Sequence, residues 1–162
     1  MNDNKESLME KYPDTAEKGI AGEKWLYEKM TAFYDEVKDH TDDAVYQTNG
    51  IDFSVKQETW KRAYTLDVKN NLKVGPRGGK IMTIELDKDG TPGWLYSSQA
   101  DRIYHVNTDH ETGVFYDRKQ MQERIDKSLK AGSVNSFKNN NDTLVSLYSS
   151  DENVRDLVRK VY

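Results

Sequence analysis

The sequence contains no cysteine, only three histidines and three prolines, and no apolar run of bilayer-spanning length. Without cysteine there can be no disulfide, no thiolate zinc site and no cysteine nucleophile. His40, His105 and His110 share no spacing with an acid or a nucleophile, so neither a histidine-built metal centre nor a histidine general base has support. Any metal would have to rest on carboxylates. Ser97 and Ser98 lack the Gly-x-Ser-x-Gly elbow of serine hydrolases, and the glycine-rich stretch 75–79 lacks the Lys-Ser/Thr ending of a phosphate loop. No EF-hand-like ligand loop is present, which weakens a Ca²⁺-module reading. Residues 1–6 are polar with no apolar leader core, so a cytoplasmic protein without membrane contact is expected.

What the chain does have is 162 residues, enough for one ordinary domain, with ten Tyr, four Phe and three Trp to fill a core. Residues 1–14 read as a flexible lead-in and 15–162 as a single domain. The net charge of −4 is unevenly spread: residues 1–60 hold 7 Lys/Arg against 14 Asp/Glu, and residues 61–162 hold 17 against 14. An acidic protein gains no general attraction to polyphosphate, so binding nucleic acid would need a local basic patch or bridging cations. Lys69, Lys73, Arg77 and Lys80 form such a patch with no acid between them.

The periodicity of Ile20, Tyr27, Met30, Tyr34 and Val37 predicts a helix from Thr15 to about Asp39, with Glu23 on its apolar stripe. Strands are expected over 44–47, 51–56, 62–69 and 80–86, forming a meander after the helix. A helical turn is expected at 97–100, then a strand over 102–107 with a hairpin partner at 113–116. A helix capped by Asp117 should run to about Lys130, followed by a loop over 131–142, a strand over 144–148 and a closing helix over 152–161.

Two of these strands carry chemistry. Alternation puts Ile51, Phe53 and Val55 on one face and Asp52, Ser54 and Lys56 on the other; in the next strand Leu66 and Val68 oppose Asp67 and Lys69. A hairpin centred between Thr59 and Trp60 pairs Phe53 with Leu66 and sets Asp52 opposite Asp67. Facing carboxylates repel unless neutralised, and Mg²⁺, which takes oxygen ligands, neutralises them. Lys69 lies one pleat beyond Asp67, placed to hold a water or to stabilise negative charge.

A helix with Gly22-Glu23-Lys24, a strand with Gly50-Ile51-Asp52-Phe53 and a strand with Asp67-Val68-Lys69 together resemble the PD-(D/E)XK nuclease superfamily. Within that superfamily the sequence looks most similar to Holliday-junction-resolvase-like and small phage-type nucleases. Residues 93–101, Gly-Trp-Leu-Tyr-Ser-Ser-Gln-Ala-Asp, are similar to a Ser-x-x-Ala-Asp segment of the small phage-type members. The resemblance spans about residues 15–107. It implies an α/β fold with a restriction-endonuclease-like αβββαβ core, a central mixed sheet flanked by helices. It also implies a Mg²⁺-dependent DNA endonuclease, with Mn²⁺ as substitute, working in phage or bacterial recombination, repair or defence. Asp52, Asp67, the main-chain carbonyl of Val68 and Glu23 would hold the metal, and Lys69 would assist the attacking water. Gln99 would orient substrate or water, while Lys73, Arg77 and Lys80 would contact the DNA backbone. Cutting two strands would favour a homodimer. The sequence departs from the family pattern in having no Pro before Asp52 and Asp, rather than the commoner Glu, at position 67. The alternative class is a non-catalytic nuclease-fold protein that binds DNA or a protein partner.

Overall fold

The computed structural model describes residues 13–161, so most of the expected lead-in lies outside the described residues. The first element, α1 (Pro13–Phe33), begins close to the expected point but stops earlier. Tyr34 still donates its N–H to the Met30 carbonyl, but Val37 belongs instead to β1 (Glu36–Asp39), paired antiparallel with β2 (Phe53–Lys56). The junction is tied by polar bonds: Gln57 Nε2 donates to the Phe33 carbonyl, and the Asp35 N–H donates to Gln57 Oε1. Strand pairing thus overrides a helical period that the local sequence would have continued.

Residues expected as a first strand form the short helix α2 (Ala44–Thr48). Val45 and Tyr46 favour strand, but the Asp43 carboxylate accepts from the N–H groups of both residues and caps a helical turn. Downstream, β2 pairs antiparallel with β3 (Tyr64–Lys69), matching Phe53 to Leu66 as the sequence predicts. The chain then leaves this sheet through β4 (Lys73–Val74), β5 (Lys80–Lys88), β6 (Thr91–Pro92) and the single-turn helix α3 (Trp94–Ser97). It returns as β7 (Arg102–Asn107), parallel to β3, and turns back as β8 (Thr112–Asp117). Asp117 caps α4 (Arg118–Ala131), as expected from the sequence.

The last third departs further from the sequence reading. The expected loop over 131–142 contains β9 (Phe137–Asn139), paired with β10 (Asp142–Tyr148), and Asn140 takes the positive φ that this tight turn requires. The expected closing helix is a series of turns leading to β11 (Arg159–Lys160), which pairs with β8. There the Asp151 carboxylate accepts both the backbone and the side-chain N–H of Asn153, a local bond that competes with helix continuation.

The result is a mixed α/β fold with a six-stranded mixed sheet, β1-β2-β3-β7-β8-β11, and four helices among the described residues. A second sheet, β4-β5-β10-β9, has β6 attached to β5. No described helix is long and apolar enough to cross a membrane. One core lies between the first sheet and α1, built on Leu26, Met30, Phe53, Val55, Leu66, Tyr104 and Val106. The other lies on the opposite face and joins Ile103, Val114 and Tyr116 to Met82, Ile84 and Val145 of the second sheet and Met121 and Ile125 of α4.

α1 approaches the sheet most closely at Gly22, where an added Cβ would sit 2.6 Å from Asn70 Cβ and 3.2 Å from Val106 Cγ2. Gly19, one turn earlier, has open space around it. Gly22→Ala should push the helix off β3 and destabilise the fold by about 1–3 kcal/mol. Gly19→Ala should stabilise it by about 0.5–1 kcal/mol through helix propensity. Urea unfolding of the two variants checks this; the same sign for both would show that α1 does not depend on the close approach.

Candidate functional site

The pairing of β2 with β3 ends at Phe53, and the chain then uses Asp52 in a different way. The Asp52 backbone is pinned on both sides, its N–H donating to the Leu66 carbonyl and its carbonyl accepting from the His40 N–H. Its side chain turns toward the strand neighbour, so that Oδ2 accepts from the Val68 N–H at 2.8 Å. Oδ1 accepts from Gln47 Nε2 at 3.1 Å, and the same amide also donates to the Ile51 carbonyl. Asp52 is therefore rigid, buried and hydrogen-bonded at both oxygens. Gln47 was not singled out from the sequence because it lies on α2, in a segment with strand composition.

Asp67 is placed very differently. It is 2% exposed; Oδ1 lies 3.0 Å from Lys69 Nζ, whereas the buried Oδ2 has no hydrogen-bond partner. Burial pushes its carboxyl up to about 6, against the attraction of Lys69 and with the repulsion of Asp52. The Lys69 side chain keeps 27% exposure. Burial works against its charge, but Asp67, Asp52 and Glu85 outweigh that and hold the ammonium above its ordinary value. Lys69 is therefore a fixed cation at neutral pH, suited to orienting a water or offsetting developing negative charge and unsuited to taking a proton.

Two loops close on this pair, each through a glycine. The Glu85 side chain accepts the Trp94 N–H, and Gly93 makes room, since a Cβ there would sit 2.5 Å from the Glu85 carbonyl oxygen. The Trp94 ring lies under the Lys69 ammonium at 5.4 Å. On the other side, Gly50 at φ +69° sits against Ser98, whose hydroxyl donates to the Gly50 carbonyl. The Gln99 N–H donates to the Asn49 carbonyl, leaving the Gln99 side chain exposed beside the turn. Asp101 completes this clasp by accepting from the Thr65 N–H and pairing with Arg62 at 2.8 Å. Below Lys69, His105 is fully buried between Asn71 and Tyr116, and burial together with Lys69 lowers it to about 3. Both ring nitrogens are engaged, so His105 serves as a neutral strut.

The structure thus brings Asp52, Asp67, Val68 and Lys69 together and adds Gln47, Glu85, Ser98 and Trp94. Glu23 is half-buried on α1, the helix whose apolar residues pack on the Leu66 and Val106 face of the sheet. Among the described residues, no three of His, Cys, Asp and Glu converge as a metal-holding group. The chemistry nonetheless fits a hard cation: Asp67 Oδ2 is a buried carboxylate oxygen with no partner, and Asp52 adds a second carboxylate beside it. Lys73, Arg77 and Lys80 lie along the β4–β5 hairpin, and no salt bridge among the described residues engages them. Five strand steps, about 17 Å, separate Lys80 from Glu85, so the basic turn stands well away from the carboxylates.

No family model, curated protein or solved structure matches the chain. What the site can do follows from its own atoms: it holds two adjacent carboxylates and one ammonium, with a single buried oxygen left for an incoming cation or donor.

The raised Asp67 carboxyl has a consequence for stability. Its ordinary value is 3.8, so between about 4 and 6 the folded protein holds a proton that the unfolded chain has lost. Stability of the metal-free protein should therefore fall as pH rises through that window. Asp67→Asn should remove this fall and leave the variant more stable at pH 8 by about 1–3 kcal/mol. Denaturant unfolding in EDTA from pH 4 to 8 tests it; a parent whose stability rises across the window would show that Lys69 fully compensates Asp67.

Proposed function

We propose that the protein is a divalent-metal-dependent deoxyribonuclease of the PD-(D/E)XK kind, hydrolysing phosphodiester bonds at Asp52, Asp67 and Lys69. The observation that carries this reading is the buried Asp67 carboxylate beside Asp52 and the Lys69 ammonium. The topology supports it as well. A helix, an antiparallel β1-β2-β3 run, a helical turn and β7 parallel to β3 follow the order of an αβββαβ core. The helix preceding β7 is reduced to one turn, α3.

In this reading Asp67, Asp52 and the Val68 carbonyl hold Mg²⁺, with Mn²⁺ as substitute. Glu85 accepts the Trp94 N–H and helps hold the Lys69 ammonium charged, and Glu23 of α1 is the further acid of the family pattern. Bound Mg²⁺ supplies positive charge at the phosphate and a water made more acidic. The chain's own contribution is positioning. Gln47 and the Val68 N–H fix Asp52, and Asp67 steers Lys69, whose ammonium orients the attacking water. The Lys73, Arg77 and Lys80 hairpin is the backbone-binding element, and Gln99 stands exposed at the Gly50 turn to meet substrate.

A second reading, a nuclease-fold protein that binds DNA or a partner without cutting, draws on one observation. Both Asp52 oxygens are hydrogen-bonded and Lys69 already neutralises Asp67, so the site is largely satisfied without an ion.

Plasmid, single-stranded, flap and four-way-junction DNA incubated with Mg²⁺, Mn²⁺, Ca²⁺ or EDTA separate the two readings. Cleavage dependent on Mg²⁺ or Mn²⁺ and lost in Asp67→Asn supports the nuclease, whereas DNA binding without metal-dependent cleavage supports the second. Lys69→Met should lower the rate by about a hundredfold or more, in the range of a lost charge-stabilising group. Calorimetry should still show Mn²⁺ binding to that variant, and loss of metal affinity together with activity would make Lys69 a structural residue. Replacing Lys73, Arg77 and Lys80 with Ala should weaken DNA binding and flatten its salt dependence by about 0.9 in log–log slope per lost phosphate contact.

A further inference from the structure

α1 ends at Phe33, and the sheet face beyond it opens into a cavity of about 540 Å³. Phe33, Tyr34, Arg102, Tyr104 and Phe115 line it, with Arg159 and Lys160 of β11 at the side. This face is opposite Asp67: Tyr104 packs with Leu66 and Val106, whereas the next residue, His105, turns toward Tyr116 and Lys69. No residue of the carboxylate site lines the cavity.

Three features of the cavity suit it to a ligand. First, Tyr104 is buried in its wall and its hydroxyl interacts with Arg102 and Tyr34, which holds the guanidinium against the wall. Second, Arg102 is caged by rings, with its guanidinium carbon 4.4 Å from the Tyr64 centroid, 5.7 Å from Trp60 and 5.6 Å from Phe115. The cage fixes the guanidinium without neutralising it. No salt bridge among the described residues engages Arg102, Arg159 or Lys160, and no acidic side chain lines the cavity. In a chain of net charge −4, three cations gathered at one acid-free hollow are a local anion trap. Third, the walls are flat and aromatic. Phe115 stacks on Tyr104 at 4.6 Å, and Phe33 is 52% exposed beside Tyr34.

A plain anion would leave the aromatic walls unused, and a plain aromatic would leave the cations unpaired. We propose that the cavity binds a nucleotide bearing a 5′-phosphate monoester, its base against Phe33 and Tyr34 and its phosphate on Arg102, Arg159 and Lys160. Aromatic stacking with cationic contacts to phosphate is the general means of holding single nucleotides, and the volume lies within the usual range of about 300–1,000 Å³ for small-molecule sites. The ligand is either a free nucleotide or the 5′-terminal nucleotide of a strand. The assignment does not rest on the nuclease reading, since the two sites share no residue.

The test is calorimetric titration of the full chain in EDTA with deoxyadenosine 5′-monophosphate, deoxyadenosine, inorganic phosphate, and single strands with and without a 5′-phosphate. The 5′-phosphorylated ligands should bind saturably, and at least about tenfold more tightly than deoxyadenosine, inorganic phosphate or the unphosphorylated strand. Binding of the mononucleotide identifies a free-nucleotide site, and binding of the phosphorylated strand alone identifies a strand-end site. Arg102→Gln should abolish binding, but it also disturbs the aromatic cage. The exposed variants Arg159→Ala with Lys160→Ala, and separately Phe33→Ala, are therefore the deciding ones, each expected to weaken binding about tenfold. Asp67→Asn should leave the affinity unchanged. The proposal is overturned if no phosphorylated ligand binds, if both exposed variants bind as the parent does, or if Asp67→Asn abolishes binding.

Discussion

A carboxylate buried in the middle of a sheet is the constraint around which this molecule is arranged. Asp67 sits on β3, a central strand, with Lys69 paired to one oxygen and Ser98 also acting on the carboxylate. In such a position a negative charge persists only if positive charge and polar atoms are brought to it. Lys69 supplies the charge, and two contacts between parts distant in sequence frame the pair: Glu85–Trp94 beside Lys69 and Gly50–Ser98 beside Asp67. Each depends on a glycine, Gly93 because a Cβ would collide with the Glu85 main chain, and Gly50 because its φ is positive and Ser98 lies against it.

Asp52 shows the opposite solution to the same problem. Its carboxylate is buried too, yet it takes the place of a main-chain acceptor for Val68 and receives the Gln47 amide, so the ordering of a strand end and the siting of a charge are one event. The pair is therefore unequal. One acid is held in a fixed, saturated geometry, and the other carries the raised carboxyl. A buried acid whose carboxyl is raised beside a specific charge partner is typical of sites that handle charge.

The sequence announced part of this and hid part of it, for physical reasons. The strand alternation of 51–56 and 62–69 and a hairpin of fixed length were enough to predict that Phe53 would pair with Leu66, because register follows from the period-2 pattern and the turn. Asp117 announced α4 because a cap is a local signal. α2 was hidden because Val45 and Tyr46 have strand character and only the Asp43 cap decides between the two states. The excess length assigned to the first helix had the converse origin, since Tyr34 and Val37 continue its period but Val37 is claimed by β1 pairing with β2. Within the site, Glu85 could not be assigned from sequence because its orientation depends on the Trp94 N–H and on the absence of a side chain at Gly93, both tertiary facts. Which face of the sheet the apolar stripe of α1 would cover was not encoded in its spacing.

β7 links the two halves of the molecule's polar chemistry. Because side chains alternate along a strand, Arg102 and Tyr104 belong to the cationic aromatic hollow while His105 belongs to the carboxylate side. The parallel register with β3 sets Val68 beside Tyr104 and Lys69 beside His105. His105 in turn is locked between Asn71 and Tyr116, and Asn71 donates to the Thr83 carbonyl of β5. The strut that underlies Lys69 is thus also the tie between the two sheets. A one-residue slip of β7 would exchange its faces, turning a neutral imidazole toward the hollow and the Arg102 guanidinium toward the carboxylate side. The buried bonds of His105 hold the register against that slip, so a residue with no proton to exchange at neutral pH keeps opposite chemistries on opposite faces of one strand.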